Sequence, residues 1–407
     1  MKYRILLSAY ACEPNKGSEP NVGWKWAIEL LLQGHEVYVI TRSNNRSIIE
    51  SEIKKKNLNG INFIYYDLPK FVINTVKGKS NKFSYLYFYF WQIGIYFKVR
   101  DLVKKIKFDY IHHVTFVSYR FPSFLCLYDI PFIFGPLSGG DSVPKNIRKS
   151  FGLNVKIKEL IRDISNYLIP IFPILSLNFK KAYKIIVNSQ ATKSNIPKIY
   201  HKKTVLDLAI SIDEKQINSD QKINFNKEIF NFCFVGSYEH IKGINIILKI
   251  LKKLKKNNHN FFFNFIGSGT LENYIKKYIK KNNIEKFTKI YPNIPHNKVL
   301  EIMLKNHLLL FPALRDSGGL VVLEAMSVGL PSAVLSLGGP SILVNDNCGI
   351  IVDTKGKDED DIVDEIYINI KELMKNRDKL KKMSNNCLER VKLFSMKNKV
   401  NKIYGKK

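Results

Sequence analysis

The stretch FPALRDSGGLVVLEAMSVGLP, Phe311–Pro331, contains the end of a buried strand, a polar turn and an apolar helix in close succession. The turn holds Asp316 and two glycines, and the helix holds a single carboxylate, Glu324. A strand, a short loop and a helix in this order indicate the repeating unit of a doubly wound parallel sheet. Because ligands of such sheets bind beyond the carboxyl ends of the strands, this loop is a candidate ligand site.

Glu324 is unusual because Val, Leu, Ala and Met surround it in the sequence. A carboxylate in apolar surroundings costs free energy unless it accepts hydrogen bonds, and a pair of ligand hydroxyls would donate them. The alternatives are a basic partner in the core or a solvent-facing side chain. The turn Ser317-Gly318-Gly319 places backbone N–H groups at the start of the helix, where the helix dipole favours a phosphate.

Two series of alternating strands and helices flank the polar segment Ser211–Lys227, which marks the expected junction. A chain of 407 residues with 45% hydrophobic content can form two cores. The pattern predicts an α/β fold with two doubly wound domains, residues 1–210 and 211–385, and a C-terminal helix, 386–407, that packs back on the first domain. The predicted strands are Arg4–Ala9, Val37–Thr41, Ile61–Tyr66, Tyr110–Val114, Phe132–Phe134, Ile185–Asn188, Phe232–Val235, Phe261–Ile266, Thr288–Tyr291, Leu308–Phe311, Ser332–Leu335 and Gly349–Val352.

Two further glycine-containing loops follow predicted strands. Gly17 would allow close backbone approach to an anion at the start of the next helix, although a tight turn capped by Ser18 fits the same residues. In the second half, Gly236 opens a loop in which Lys242 precedes a glycine and a helix. A lysine there can act as a point charge for phosphate, and a solvated surface lysine is the alternative.

Charge and cysteine usage limit the class of protein. Lys and Arg total 65 against 35 acidic residues, so the formal net charge is +30, which attracts nucleic acid, anionic lipid or phosphorylated ligands without choosing among them. The five cysteines lie far apart without a C-x-x-C pair, as expected for reduced thiols in the cytosol. The longest apolar run, Tyr85–Phe97, is shorter than the ~18–20 residues that span a bilayer.

The spacing Asp316-x7-Glu324, followed by Ala325–Pro331, resembles the Glu-x7-Glu signature of retaining glycosyltransferase family 4, the glycosyl transferases group 1. This resemblance implies the GT-B fold, in which two facing Rossmann-like domains enclose a cleft. Weaker motifs in the family's order extend the resemblance over most of the chain; they are Gly17-Ser18-Glu19-Pro20, Phe134–Gly140, Val187-Asn188-Ser189, Lys242-Gly243 and Gly338-Gly339-Pro340.

The resemblance also implies roles for single residues. Glu324 would bind the ribose hydroxyls of a nucleotide-sugar, and Lys242 would neutralise the leaving diphosphate. Asp316 would face the donor sugar, and a histidine beyond a strand of the first domain would lie beside it. The catalytic residues are then expected to be His113, Asp316 and Lys242, and the donor-binding residues Gly17, Gly236, Lys242, Asp316, Ser317, Gly318, Gly319, Leu320 and Glu324.

Three positions leave alternatives open. His112 and His113 are adjacent and face opposite ways in a strand, so one of them can reach the donor; His113 is favoured, and an ordinary core histidine is the alternative. The first carboxylate of the signature is Asp316 instead of Glu. Ser237 stands where the family often has an arginine, so a phosphate contact is either missing or supplied by Arg315, and a weak or inactive enzyme is compatible with both departures.

The acceptor side carries apolar surface next to basic charge. Aromatic and basic residues mix through Phe71–Phe108, and lysines flank the apolar stretch Ile169–Asn178. This combination suits a peripheral element on anionic lipid, whereas a core helix pair with solvated lysines is the alternative. The expected acceptor is a saccharide, lipid-linked if the element docks on lipid, and the expected location is the cytoplasm or the inner face of the cell membrane.

The resemblance implies metal-independent transfer, with retention, of a sugar from a nucleoside diphosphate to a saccharide hydroxyl, and the expected setting is cell-surface polysaccharide or lipopolysaccharide synthesis. No cofactor is expected, and the acidic run Asp358–Asp361 gives little support to a metal centre, because acidic residues suit a helix N-terminus without an ion. A nucleotide-sugar epimerase of the same fold is the nearest alternative. A nucleic-acid-binding protein would not need Glu324, and a dehydrogenase would need the G-x-G-x-x-G that the first loop lacks.

Overall fold

Parallel strands alternate with helices throughout the computed structural model, which describes residues 2–17, 19–69, 72, 81–217 and 223–405. Ser18, the start of the stretch Phe71–Phe108 and part of the segment Ser211–Lys227 lie outside the described residues. Contacts divide the chain into two units. Unit 1 comprises Met1–Gly140, Ile164–Ala209 and Met396–Lys407, and unit 2 comprises Asp141–Asp163 and Ile210–Ser395.

Unit 1 contains a parallel sheet with the strand order β3-β2-β1-β4-β5-β6-β7. Leu6 pairs with Tyr38 on one side and with Ile111 on the other, so β1 is central. The strands are β1 Arg4–Ala9, β2 Glu36–Thr41, β3 Ile61–Tyr65, β4 Tyr110–Thr115, β5 Phe132–Leu137, β6 Ala182–Val187 and β7 Thr204–Leu206. The helices are Glu19–Leu32, Arg46–Lys55, Asn81–Lys105, Pro173–Lys181, Gln190–Asn195 and Met396–Tyr404, together with the end of Leu153–Leu168.

Both faces of this sheet are covered by apolar side chains, which explains the near-continuous hydrophobic runs of its strands. One core cluster is built around Phe88 and Trp91 of the helix Asn81–Lys105. The other contains Trp26 and, from the far end of the chain, Val400 and Tyr404. The last helix, Met396–Tyr404, is therefore part of the core of unit 1.

Unit 2 contains a second parallel sheet with the order β10-β9-β8-β11-β12-β13. Its strands are β8 Phe230–Val235, β9 Phe261–Ile266, β10 Thr288–Tyr291, β11 Leu308–Phe311, β12 Ser332–Leu335 and β13 Gly349–Val352. Its helices are Ile244–Lys256, Glu272–Lys281, His296–Met303, Leu320–Ser327, Pro340–Leu343, Glu359–Lys375 and Arg377–Val391. The strand order reverses between β8 and β11, so the loops after these two strands flank the switch point where doubly wound sheets bind ligands.

The predicted α/β fold class is confirmed, and each predicted strand is present, six with the predicted ends and six with ends shifted by one to three residues. The short strand β7 was not predicted. The expected start of the C-terminal helix, residue 386, is wrong because that residue lies inside the helix Arg377–Val391. A short turn follows, and the last helix begins at Met396. The contact-based units also assign Asp141–Asp163 to unit 2, whereas the expected domains 1–210 and 211–385 remain a prediction.

Among the described residues, no single helix is long and apolar enough to cross a membrane. The helices Leu153–Leu168 and Pro173–Lys181 reach that length and composition only as a pair, and they are bent by 58° at their break. The apolar run Tyr85–Phe97 lies within the helix Asn81–Lys105, which buries Trp91 and Phe88.

Candidate functional site

The carboxylate of Asp316 holds together the loop that follows β11. Its Oδ1 accepts hydrogen bonds from the backbone N–H groups of Gly318, at 3.0 Å, and Gly319, at 2.8 Å. Its Oδ2 lies 2.6 Å from the ammonium of Lys242. Asp316 therefore occupies two of the backbone donors that were expected to hold a diphosphate, and it forms an ion pair with the lysine expected to neutralise one.

Glycines make this loop possible because other backbone segments pass very close to it. Gly319 has a φ of +74°, which suits glycine, and it directly precedes the helix Leu320–Ser327. Gly338 has a φ of +61°, and a methyl group on it would lie 2.0 Å from the carbonyl oxygen of Asp316. The N–H of Gly339 donates to that same oxygen at 2.8 Å. The Gly-Gly-Pro motif thus packs against the backbone of Asp316 and donates a hydrogen bond to it.

Lys242 reaches Asp316 because the loops after β8 and β11 are bonded to each other. The N–H of Leu314 donates to the carbonyl oxygen of Ile241 at 2.8 Å. Gly243 has a φ of +75°, and a methyl group there would lie 2.1 Å from the carbonyl oxygen of Pro312. Lys242 and Asp316 are both partly buried, with 19% and 18% of their side chains exposed. The alternative of a fully solvated lysine is therefore wrong.

Glu324 lies near the middle of the helix Leu320–Ser327, and 18% of its side chain is exposed. Burial raises the pKa of its carboxyl group, and the nearby imidazole of His296 lowers it in part. The imidazole Nε2 is 3.8 Å from Glu324 Oε1. Within the part of the chain that the structure describes, the carboxylate accepts no hydrogen bond, although His296 lies within ion-pair distance and part of the side chain is open to solvent.

Gly236, which opens the loop of Lys242, packs against the loop after β9. Gly236 has a φ of +148°, and its N–H donates to the carbonyl oxygen of Ile266 at 3.0 Å. A methyl group on Gly267 would lie 2.1 Å from the carbonyl oxygen of Gly236. Backbone packing explains glycine at Gly267, and the positive φ explains it at Gly236. Any contact of Gly236 with a ligand remains a prediction.

Arg315 already forms an ion pair within the protein. Its guanidinium forms an ion pair with Glu159, whose side chain is only 3% exposed. The geometry therefore does not support Arg315 as the replacement for the arginine that Ser237 displaces. Neither Glu159 nor His296 was predicted as part of this region. His296 could have been suspected from the sequence, because it is the first residue of a helix that follows β10.

In unit 1 the two adjacent histidines have different surroundings. His112 is bonded on both ring nitrogens, to the hydroxyl of Tyr404 and to the carbonyl oxygen of Gly135, each at 2.7 Å. His113 is buried beside Phe134, and no partner meets either of its ring nitrogens at hydrogen-bonding geometry in the described residues. Burial lowers the pKa of His113 to about 4, and the nearby backbone of Phe116 raises it in part, so the imidazole is neutral at physiological pH. His112 has a structural role, whereas the ring nitrogens of His113 make no hydrogen bond of good geometry with the described residues.

The loop after β1 also differs from a simple glycine turn. Gly17 has no neighbour within 4 Å of the position that a methyl group would take, so the described protein atoms do not require glycine there. Glu19 instead has a structural role, because its partly buried carboxylate accepts a hydrogen bond from the N–H of Val117, after β4. Burial raises the pKa of Glu19, and this hydrogen bond lowers it in part.

Residues 215–390, which contain the Lys242, Asp316 and Glu324 site, match the family model described as glycosyl transferases group 1. Over these residues the chain is similar to the glycosyl transferases group 1 family. The resemblance expected from the sequence is thereby confirmed. Among curated relatives, an uncharacterized glycosyltransferase of Methanocaldococcus jannaschii is 27% identical over 177 residues, or 43% of this chain and 47% of the relative. That alignment spans about half of the relative's length.

Solved structures of glycosyltransferases share the fold of the whole chain. The apo form of the lipopolysaccharide outer core galactosyltransferase WaaB is similar with a TM-score of 0.62 and 14% identity, over 98% of this chain and 99% of that chain. Anabaena HepE in complex with UDP-glucose is similar with a TM-score of 0.56 and 12% identity, over 98% and 99% of the two chains. At these identities the likeness shows the fold alone, and that fold is GT-B.

Proposed function

We propose that this protein is a glycosyltransferase that moves a sugar from a nucleoside diphosphate to a saccharide hydroxyl, with retention of configuration and without a metal ion. The observation that carries the proposal is Glu324, a partly buried carboxylate without a hydrogen bond in the described residues, on the helix that begins beside Lys242 and Asp316. The glycosyl transferases group 1 match of residues 215–390 supports the same reaction class.

The helix Leu320–Ser327 offers two features to the donor. Its first N–H groups, including that of Leu320, have no partner within the helix and favour a diphosphate. Glu324 follows Leu320 by four residues, so it lies on the same face about 6 Å further along the axis. That separation suits a diphosphate at the helix start and a ribose beside Glu324, whose carboxylate then accepts both ribose hydroxyls.

Donor binding changes the partner of Lys242 in this proposal. The ammonium leaves Asp316 Oδ2 and neutralises the negative charge that develops on the departing diphosphate. Asp316 then turns to the donor sugar, and Ser317, Gly318 and Gly319 contribute their backbone to the phosphates. The ion pair observed between Lys242 and Asp316 supports this exchange because it keeps both groups close to the helix start before the donor arrives.

We also propose that His113 acts as a neutral hydrogen-bonding group for the donor sugar and that Gly17 allows close approach of backbone to the phosphates. The acceptor would be a saccharide of a cell-surface polysaccharide or lipopolysaccharide, elongated in the cytoplasm or at the inner face of the cell membrane. WaaB, which has the same fold, is a lipopolysaccharide outer core galactosyltransferase, and this likeness supports the choice of acceptor.

The reaction is tested by incubating the full chain with UDP-, GDP- and ADP-sugars, a panel of saccharide acceptors and excess EDTA. We expect an acceptor extended by one sugar, detected by mass spectrometry, whose anomeric proton coupling shows the same configuration as the donor. Inversion would contradict retention, and loss of product with EDTA would contradict the metal-independent step. A free epimerised nucleotide-sugar, without acceptor extension, would instead identify a nucleotide-sugar epimerase.

A further inference from the structure

The helix Leu153–Leu168 carries its apolar side chains on the solvent side. Ile161 is 61% exposed and Tyr167 is 76% exposed. Single exposed apolar residues are ordinary, but a contiguous row along one helix is unusual for a protein surface without a partner. We define the apolar face as the exposed residues of this helix, namely Leu153, Ile157, Leu160, Ile161, Ile164, Tyr167 and Leu168.

Three polar side chains of the same helix are bonded to other parts of the protein, and these contacts determine which side of the helix faces outward. Glu159 is buried against Arg315, and Asp163 accepts two hydrogen bonds from Arg148 at 2.7 and 3.0 Å. Asn166 accepts the hydroxyl hydrogen of Tyr119 at 2.9 Å. Rotating the helix to bury its apolar face would break these contacts, so the outward position of the apolar side chains is built into the fold.

The chain that follows extends the apolar surface and brings basic charge to it. Ile171 and Phe172, just after the helix, are exposed like the apolar face itself. Exposed lysines flank the surface at Lys156 and Lys158 within the helix and at Lys180 and Lys181 beyond it. Both acidic side chains of the helix, Glu159 and Asp163, are paired with arginines, so they do not oppose this positive charge.

We propose that the apolar face docks on the surface of an anionic lipid bilayer. Apolar side chains flanked by lysines fit the boundary between acyl chains and acidic headgroups. A second copy of this chain is a poorer occupant, because each copy would bring the same lysines to the contact in a chain of net charge +30. The inference is independent of the proposed function, since docking requires no catalysis.

The test is flotation of the full chain with vesicles made of equal parts phosphatidylglycerol and phosphatidylcholine. The double variant Ile161→Glu/Tyr167→Glu places two charges on the apolar face, and we expect its vesicle partitioning to fall at least ~10-fold. The matched control is Ile368→Glu, at an equally exposed isoleucine (63%) on the helix Glu359–Lys375, and it should bind like the parent. Circular dichroism of each variant checks that the fold is intact.

Two further conditions separate lipid docking from other causes of binding. Pure phosphatidylcholine vesicles, or salt near 1 M where the Debye length is about 3 Å, should release most of the protein. The proposal is overturned if the parent does not float with anionic vesicles, or if the folded double variant floats as well as the parent. It is also overturned if sedimentation without lipid shows dimers that the double variant abolishes, since the apolar face would then bind a second copy.

Discussion

Burial of the Glu324 carboxylate among apolar side chains raises its pKa above the ordinary value of 4.5. The folded protein then binds more protons at this group than the unfolded chain does, so stability is lost as pH rises from 4.5 through the raised pKa. We expect Glu324→Gln to remove this loss. Relative to the parent, the variant should gain stability as pH rises above 4.5, as measured by urea unfolding at each pH. If the parent instead became more stable relative to the variant as pH rises, the pKa of Glu324 would not be raised.

Asp316 acts as a backbone cap in the observed state, and this role can be separated from its charge. Asp316→Ala removes the acceptor of the Gly318 and Gly319 N–H groups and should cost about 1–2 kcal/mol locally. Asp316→Asn keeps an acceptor oxygen and loses only the ion pair to Lys242, so its cost should be smaller. Hydrogen exchange of the peptide that contains both glycines measures the difference. Equal exchange in the two variants would show that the cap is unimportant.

Asp316, Lys242 and Glu324 could be named from the sequence because each lies at a recognisable distance from a strand end or a glycine. Their contacts could not be predicted in the same way. Lys242 and Asp316 are 74 positions apart, and only the pairing of β8 with β11 brings them together. The absence of a hydrogen bond to Glu324 in the described residues likewise depends on which helix packs beside it.

At the scale of elements, the loop of Asp316 depends on the close passage of Gly338. Gly338 and Gly356 both have positive φ, at +61° and +74°, but a methyl group on Gly356 meets nothing within 4 Å. Gly356→Ala should therefore cost only about 1 kcal/mol of conformational strain, whereas Gly338→Ala adds a clash with Asp316 and should exceed about 3 kcal/mol. Chemical denaturation of both variants compares them directly. Equal losses would mean that the Gly338 loop can move aside.

For the helix Leu153–Leu168, sequence periodicity predicts an apolar and a polar face but does not predict which face is buried. Its spacing predicts one apolar and one polar face, and burial of the apolar face would be the usual expectation. The structure reverses this because the polar face finds arginine and backbone partners, including Arg148 and Arg315. Periodicity indicates that two faces exist, but the partners that decide their direction come from distant parts of the chain.

At the scale of the whole molecule, the chain returns to unit 1 through its last helix. Lys399 is buried there and lies 2.8 Å from the carboxylate of Asp207. Removing one partner of a buried pair typically costs about 3–5 kcal/mol, so Lys399→Ala should strongly destabilise unit 1. Lys392, which pairs with Glu389 at the surface, is the matched control, and its replacement by Ala should cost less than about 1 kcal/mol.

Hydrogen exchange resolves which unit responds to Lys399→Ala. We expect faster exchange in β4 and in the helix Glu19–Leu32, which share a core cluster with the last helix. The strands β8–β13 of unit 2 should retain the exchange rates of the parent. Faster exchange confined to unit 2 would contradict the assignment of Met396–Tyr404 to the core of unit 1.

Donor recognition by Glu324 is tested most directly by calorimetric titration of the full chain with UDP-, GDP- and ADP-sugars. We predict that one donor binds and that Glu324→Ala weakens its binding at least ~10-fold, because two hydrogen bonds to a charged acceptor are lost. Glu285→Ala, at an exposed carboxylate, serves as the control and should bind like the parent. If Glu324→Ala binds the best donor as tightly as the parent, Glu324 does not hold the ribose.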